Sequence, residues 1–126
     1  MIKDIEKIVY QILSTSPVYL ALDPKPEIYQ QIAPIESDDS SIIINSIKGR
    51  STKLGARFEV FQFSIWDKKK NDIFPIREAI AEIFNRYRGP DIIYGYEEST
   101  TPVYDQEVEQ HGLHMTYVFK LYDPNY

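Results

Sequence analysis

The chain has no cysteine in its 126 residues. That excludes disulfide staples, thiolate metal ligands and a cysteine nucleophile, and it fits synthesis in a reducing cytoplasm. Glycine is scarce too, with only five, and none falls into a phosphate-cradling or dinucleotide-binding spacing. No apolar run approaches the about 20 residues that a bilayer span requires. Lys3, Asp4, Glu6 and Lys7 interrupt Met1–Leu13, so the start of the chain does not read as a secretion signal. The expectation is a soluble protein with no membrane partner.

Aromatic residues are plentiful. Apolar residues make up 43% of the chain and aromatics 13%, with ten Tyr, six Phe and one Trp. Disordered segments lack this supply of core residues. The length fits one domain, spanning residues 1–126, and a domain of this size buries roughly two-thirds of its unfolded surface. The net charge of −5 is unevenly spread: residues 1–47 carry −4, residues 48–88 carry +5 and residues 89–126 carry −6. A basic middle between acidic ends is either a solvated surface or a pair of complementary patches.

Ile2, Ile5, Ile8, Val9, Ile12 and Leu13 recur at three- and four-residue spacing and predict an amphipathic helix ending at Ser14–Pro17. Val18–Pro34 holds too many prolines for a long regular element. It reads as an extended connection anchored by Tyr19, Leu22, Ile28 and Tyr29. Ile42–Ile47 is rich in β-branched residues and predicts a strand, followed by a polar, mobile connection over Lys48–Gly55. Arg57–Trp66 predicts a second strand, with Phe61, Phe63 and Ile65 on one face and Phe58, Val60, Gln62, Ser64 and Trp66 on the other.

After a charged turn at Asp67–Asn71, Asp72 is a plausible N-cap. Ile73, Ile76, Ala79, Ile80, Ile83, Phe84 and Tyr87 mark a second amphipathic helix, with Pro75 tolerated in its first turn. Strands follow near Ile92–Tyr96, extending toward Val103–Glu107, and at Leu113–Tyr122, with a turn near His111–Gly112. The expected fold class is α+β: a small, mixed, mainly antiparallel four-stranded sheet with two amphipathic helices packed on one face. The other face is mixed, with Thr116, Lys120 and Gln62 beside Trp66, Val118 and Tyr122. Faces of this kind often become subunit contacts.

Little points to catalysis. His111 and His114 fall on opposite faces of a strand and have no cysteine or acidic cluster to complete a metal site. Glu97, Glu98, Asp105, Glu107 and Glu109 read as a solvated acidic surface, since no desolvating pocket is paired with them. There is no G-x-S-x-G turn. Lys48, Arg50, Lys53 and Arg57, with Lys68, Lys69 and Lys70, form the basic concentration, and they flank the second strand at its two ends. They suit an acidic protein surface better than autonomous nucleic-acid binding, because the whole chain is acidic. No catalytic residue, cofactor or metal is expected.

The order of segments carries a resemblance. An N-terminal helix, "IYQQIAP", a short strand and a polar loop are followed by "FEVFQFSIWD", a charged turn and "IREAIAEIFNRYRG". The chain closes with "YEESTTPVYDQEVEQHGLHMTYVFKLYD". From about Ile5 to Asp123 this resembles the tail-completion, or tail-terminator, family of long-tailed phages and prophages. The proline-dense Val18–Pro34 stretch departs from that pattern.

The resemblance implies a virion protein made in the bacterial host's cytoplasm. It would form a hexameric ring at the head-proximal end of the tail tube, stop tube polymerisation and join tail to head. Its implied partners are further copies of itself, the tail-tube protein and a head-neck connector protein, with DNA passing transiently through the ring lumen. The family shares no catalytic residues.

A closed ring needs two different complementary patches on each subunit. Lys48, Arg50, Lys53 and Arg57 are candidates for one, and Glu97, Glu98, Glu107 and Glu109 for the other, with Trp66 as an aromatic contact. Two alternatives remain: a head-closure or adaptor protein of the same neck, and, from another class, a small ligand-binding or enzymatic domain. A ligand-binding pocket lined only by apolar residues and backbone groups would favour the last of these.

Overall fold

The computed structural model describes residues 5–23, 25–30, 40–51, 56–90 and 92–122, with residues 48–51, 56 and 122 described by their backbone. Helix α1 (Ile5–Thr15) buries Ile5, Val9 and Leu13, one residue per turn. It gives way to the single-turn α2 (Pro17–Leu20), where the Ser16 side chain accepts from the Val18 amide and Pro17 takes the first helical position. Strand β1 (Glu27–Gln30) precedes β2 (Ser41–Ser51) and β3 (Ala56–Asp67). A 3₁₀ turn at Lys70–Asp72 leads into α3 (Ile73–Phe84), and β4 (Ile92–Asp105) and β5 (Gln110–Tyr122) form the last hairpin.

The five strands lie in the order β1-β2-β3-β5-β4. All pairings are antiparallel except β1 with β2, which are parallel. The α+β class therefore stands, with five strands instead of the expected four. The added strand lies inside the proline-rich stretch that reads as a connection: four residues pair with Ser41–Ile44 of β2, and Tyr19 Oη donates to the Pro26 carbonyl at 2.6 Å to hold its approach. Lys48–Ser51 belong to β2, so the polar segment continues the hairpin as ladder instead of leaving it. The segment 52–55, including Lys53, lies outside the described residues.

Two more boundaries move, and one cap is not made. Helix α3 stops at Phe84 and not at Tyr87, because Arg86 takes a left-handed backbone with φ 63°. Asp72 sits at the N-cap position in a helical conformation and makes no capping bond there. The last turn occupies residues 106–109, just before His111.

One face of the sheet carries the core. Ile42 and Ile44 of β2, Phe61, Phe63 and Ile65 of β3, and Met115, Tyr117 and Phe119 of β5 are all fully buried, together with Val9, Leu13, Ile80 and Phe84 of the long helices. The rings interlock: Phe63 and Phe84 stack at 4.9 Å, Phe63 meets Tyr117 edge-on at 5.5 Å, and Phe84 meets Phe119 at 5.6 Å. Gly95 lets the end of α3 approach β4, since a Cβ there would stand 2.7 Å from Phe119 Cδ1 and 3.1 Å from the Phe84 carbonyl. Among the described residues no helix lies on the opposite face, where Gln62, Ser64, Trp66, His114, Thr116 and Lys120 share their register with Val60 and Val118.

Candidate functional site

The charged residues singled out by the sequence separate onto two flanks of the sheet. On the β2 flank, the described pairing with β1 runs as far as Ile44, and the ladder with β3 is interrupted between Ser46 and Lys48. The extra residue in that bulge is Ile47, 53% exposed. Lys48 and Arg50 follow it in β2; their side chains, like Lys53, fall outside the description. Arg57 is already engaged: its Nε donates to Glu59 Oε1 at 2.6 Å, and Glu59 is buried.

The β4 flank holds the acidic set, and it divides. Glu97 is half-buried on the helix side of the sheet. Its carboxylate accepts from the Thr100 hydroxyl and lies 3.9 Å from the Arg77 guanidinium of α3. The expectation of an exposed Glu97 is therefore corrected: register with Tyr117 puts it on the core side. Glu98 is the exposed extra residue of a second bulge, between Glu97 and Ser99. Glu107 and Glu109 are exposed in the β4–β5 turn, where the Glu107 amide donates to Asp105 Oδ1 at 3.0 Å and Glu109 adopts φ 52°.

Strand β4 lies at the edge of the sheet yet is poorly suited to accept another strand. The chain leaving α3 folds back on it, with Arg86 N donating to the Gly95 carbonyl at 2.8 Å and Gly95 N to the Tyr87 carbonyl at 3.0 Å. Beyond that cap come the Glu98 bulge and Pro102, which has no N–H to give. A regular added strand is thus obstructed on this flank, which favours contacts through side chains.

Such contacts have a place to form. Between the start of α3 and the outer part of the β4–β5 hairpin lies a groove of about 570 Å³. Ile73, Pro102, Val103 and Leu113 form its floor and walls, and Phe74 and Tyr104 stand at it 55% and 51% exposed. Lys70, Arg77 and His111 are the other polar side chains of its lining, so no carboxylate lies there to serve as a base partner. The sequence held one clue to it: Phe74 is an aromatic residue off the buried stripe of its own helix.

Trp66, half-buried at the end of β3, meets His114 edge-on at 5.7 Å on the helix-free face. Ser64 Oγ lies 2.8 Å from His114 Nδ1, a pairing that the H-x-x-H spacing alone does not reveal. Burial lowers the His114 pKa below its ordinary value. His111 and His114 do fall on opposite faces, and His111 packs on Tyr104 at 4.8 Å. Deep in the core the Tyr117 hydroxyl has no partner. Burial raises its pKa; the Glu97 carboxylate adds to the rise and Arg77 opposes it. Among the described residues no group of three potential metal ligands converges, and no helix is long and apolar enough to cross a membrane.

No family model and no curated protein matches the chain. Among solved structures, a chain in the virion of a native gene transfer agent (GTA) particle has a similar fold, with a TM-score of 0.69 at 12% identity over 93% of this chain and 93% of that one. At that identity the likeness is one of fold.

Proposed function

We propose that this chain is a structural virion protein of the tail-terminator kind. In this reading it forms a ring, a hexamer, at the head-proximal end of a phage-type tail tube. The ring stops tube growth and joins the tail to the head. The observation that carries the reading is the end-to-end likeness, 93% of both chains, to a component of a gene transfer agent virion. The order of sequence segments supports it independently.

The mechanism is one of shape and charge. Each copy offers two unlike flanks, a basic one along β2 and an acidic one along β4, as a head-to-tail ring requires. Glu98, Glu107 and Glu109 face solvent on the second flank and are free to meet Lys48, Arg50 and Lys53 of the next copy. Arg57 and Glu97 act within their own chain and brace the two flanks. The helix-free face with Trp66 is left for the tube or the head-neck connector, and DNA passes through the lumen.

A head-closure or adaptor protein of the same neck is the second reading, since a shared virion fold favours it equally. Electron microscopy of particles lacking this chain separates the two. Overlong tails are expected for a terminator, and tails of normal length lying apart from leaking heads for an adaptor. Intact, infectious particles would sink both.

A further inference from the structure

The groove beside α3 opens outward from the margin of the core, where Ile73 and Leu113 line it, and it is flanked by two exposed aromatic rings, Phe74 and Tyr104. An apolar concavity of this size is ordinarily filled by something. The opposite flank carries the complementary feature. Ile47 is the extra residue of the bulge in the β2 ladder and lies beyond the last described pairing with β1, Gln30 with Ile44, so an aliphatic knob stands exposed there.

We propose that Ile47 of one copy seats in the groove between Phe74 and Tyr104 of a second copy. This rests on the self-assembling ring reading above and names the contact that builds it. Three observations select a second copy as the occupant. The knob is followed along β2 by Lys48 and Arg50; the groove's own cations, Lys70 and Arg77, belong to its α3 side, whereas the exposed Glu107 and Glu109 stand in the turn on its hairpin side, the side that suits a basic stretch. The β4 edge is capped and bulged against strand addition, so a side-chain knob can dock where a strand cannot. Knob and groove also lie on opposite sides of the sheet order β1-β2-β3-β5-β4, so one copy cannot satisfy itself and the contact repeats head to tail. A groove of about 570 Å³ accepts Ile47 together with the bulged backbone that bears it.

The absence of native cysteine makes the test clean. Variants I47C and F74C, each at an exposed position, are mixed at high concentration and oxidised. I47C with Y104C serves as a second pairing and L20C with F74C as a control. Thermal melts verify that each variant folds.

The mixture of I47C and F74C, or of I47C and Y104C, is expected to give disulfide-linked dimers that neither gives alone. The double variant I47C/F74C is expected to give a ladder of covalent oligomers. I47D is expected to weaken self-association about tenfold or more. If the wild type assembles by sedimentation but both Ile47 pairings stay uncrosslinked, or the L20C control crosslinks in their place, the socket is overturned and the ring reading survives. If the wild type remains monomeric at every concentration, alone and with tail-tube protein, the ring reading falls and takes the socket with it.

Discussion

The two flanks of this sheet differ in almost every respect that matters for association. The β2 flank is basic in sequence and interrupted by a bulge that leaves Ile47 exposed. The β4 flank is concave, acidic at its turn and guarded against strand pairing by its own helix exit. Between them lies one continuous aromatic core that favours neither. A molecule with two equal flanks would meet its copies face to face and stop at a dimer. Unlike flanks lead to a chain of copies that must close or grow without limit. In the proposed reading stability is concentrated in the middle of the fold and assembly at its margins, and substitutions should separate the two.

The largest effect should come from removing what both flanks share. Phe84→Ala deletes a fully buried ring in contact with Phe63, Tyr117 and Phe119. It should cost about 3–5 kcal/mol by chemical denaturation and abolish assembly with it. If assembly persisted at wild-type strength, the core would not be what holds the flanks in place. Gly95→Ala acts on one flank. Its Cβ collides with the Phe119 ring and the Phe84 carbonyl, and relief should cost about 1–3 kcal/mol. Faster amide exchange confined to 86–95 would mark the damage as local.

Tyr117→Phe should move the other way. It removes a buried hydroxyl that has no hydrogen-bond partner, so a gain of about 1 kcal/mol is expected with assembly unchanged. A loss of stability would mean that the hydroxyl has a partner in solution. Glu107→Lys with Glu109→Lys should leave the melting temperature nearly untouched and weaken self-association by roughly 0.2–1 kcal/mol per charge, less so in high salt. This pair sharpens the comparison most. A copy with a reversed β4 flank still presents its β2 flank, so mixed with wild type it should terminate growing assemblies and not be excluded from them.

The smallest effect concerns the helix-free face. Burial holds the His114 pKa below its ordinary 6.5. As pH falls through that value the unfolded chain takes up the proton first, so stability is full above it and declines below. Melting temperatures recorded from neutral pH downward should show that decline, and His114→Gln should flatten it. An identical slope in the variant would assign the decline to other groups.

The sequence made the middle of the molecule legible and its margins less so. Phe61, Phe63 and Ile65 alternate on β3, and Leu113, Met115, Tyr117, Phe119 and Leu121 on β5, because one buried face imposes a two-residue period. Both long helices show their stripes for the same reason. Strand β1 escaped notice because four residues between prolines carry no period of their own. Only the parallel ladder with Ser41–Ile44 makes them a strand.

At the site, charge could be counted from sequence, but commitment could not. Arg57 and Glu97 looked as available as Glu107 until their neighbours Glu59, Arg77 and Thr100 were placed. Of the groove the sequence offered only Phe74, off its helix's buried stripe, because Phe74, Tyr104 and Leu113 come together only through the hairpin's return past α3.

The central claim is that unlike flanks of one chain grip each other around a closed ring. Native mass spectrometry of the full chain, alone and with the proposed partner, a tail-tube protein, tests it directly. The account predicts one closed species, at the hexamer mass, that I47D and the double charge reversal each shift toward monomer. A symmetric dimer as the end point, indifferent to both changes, would contradict it.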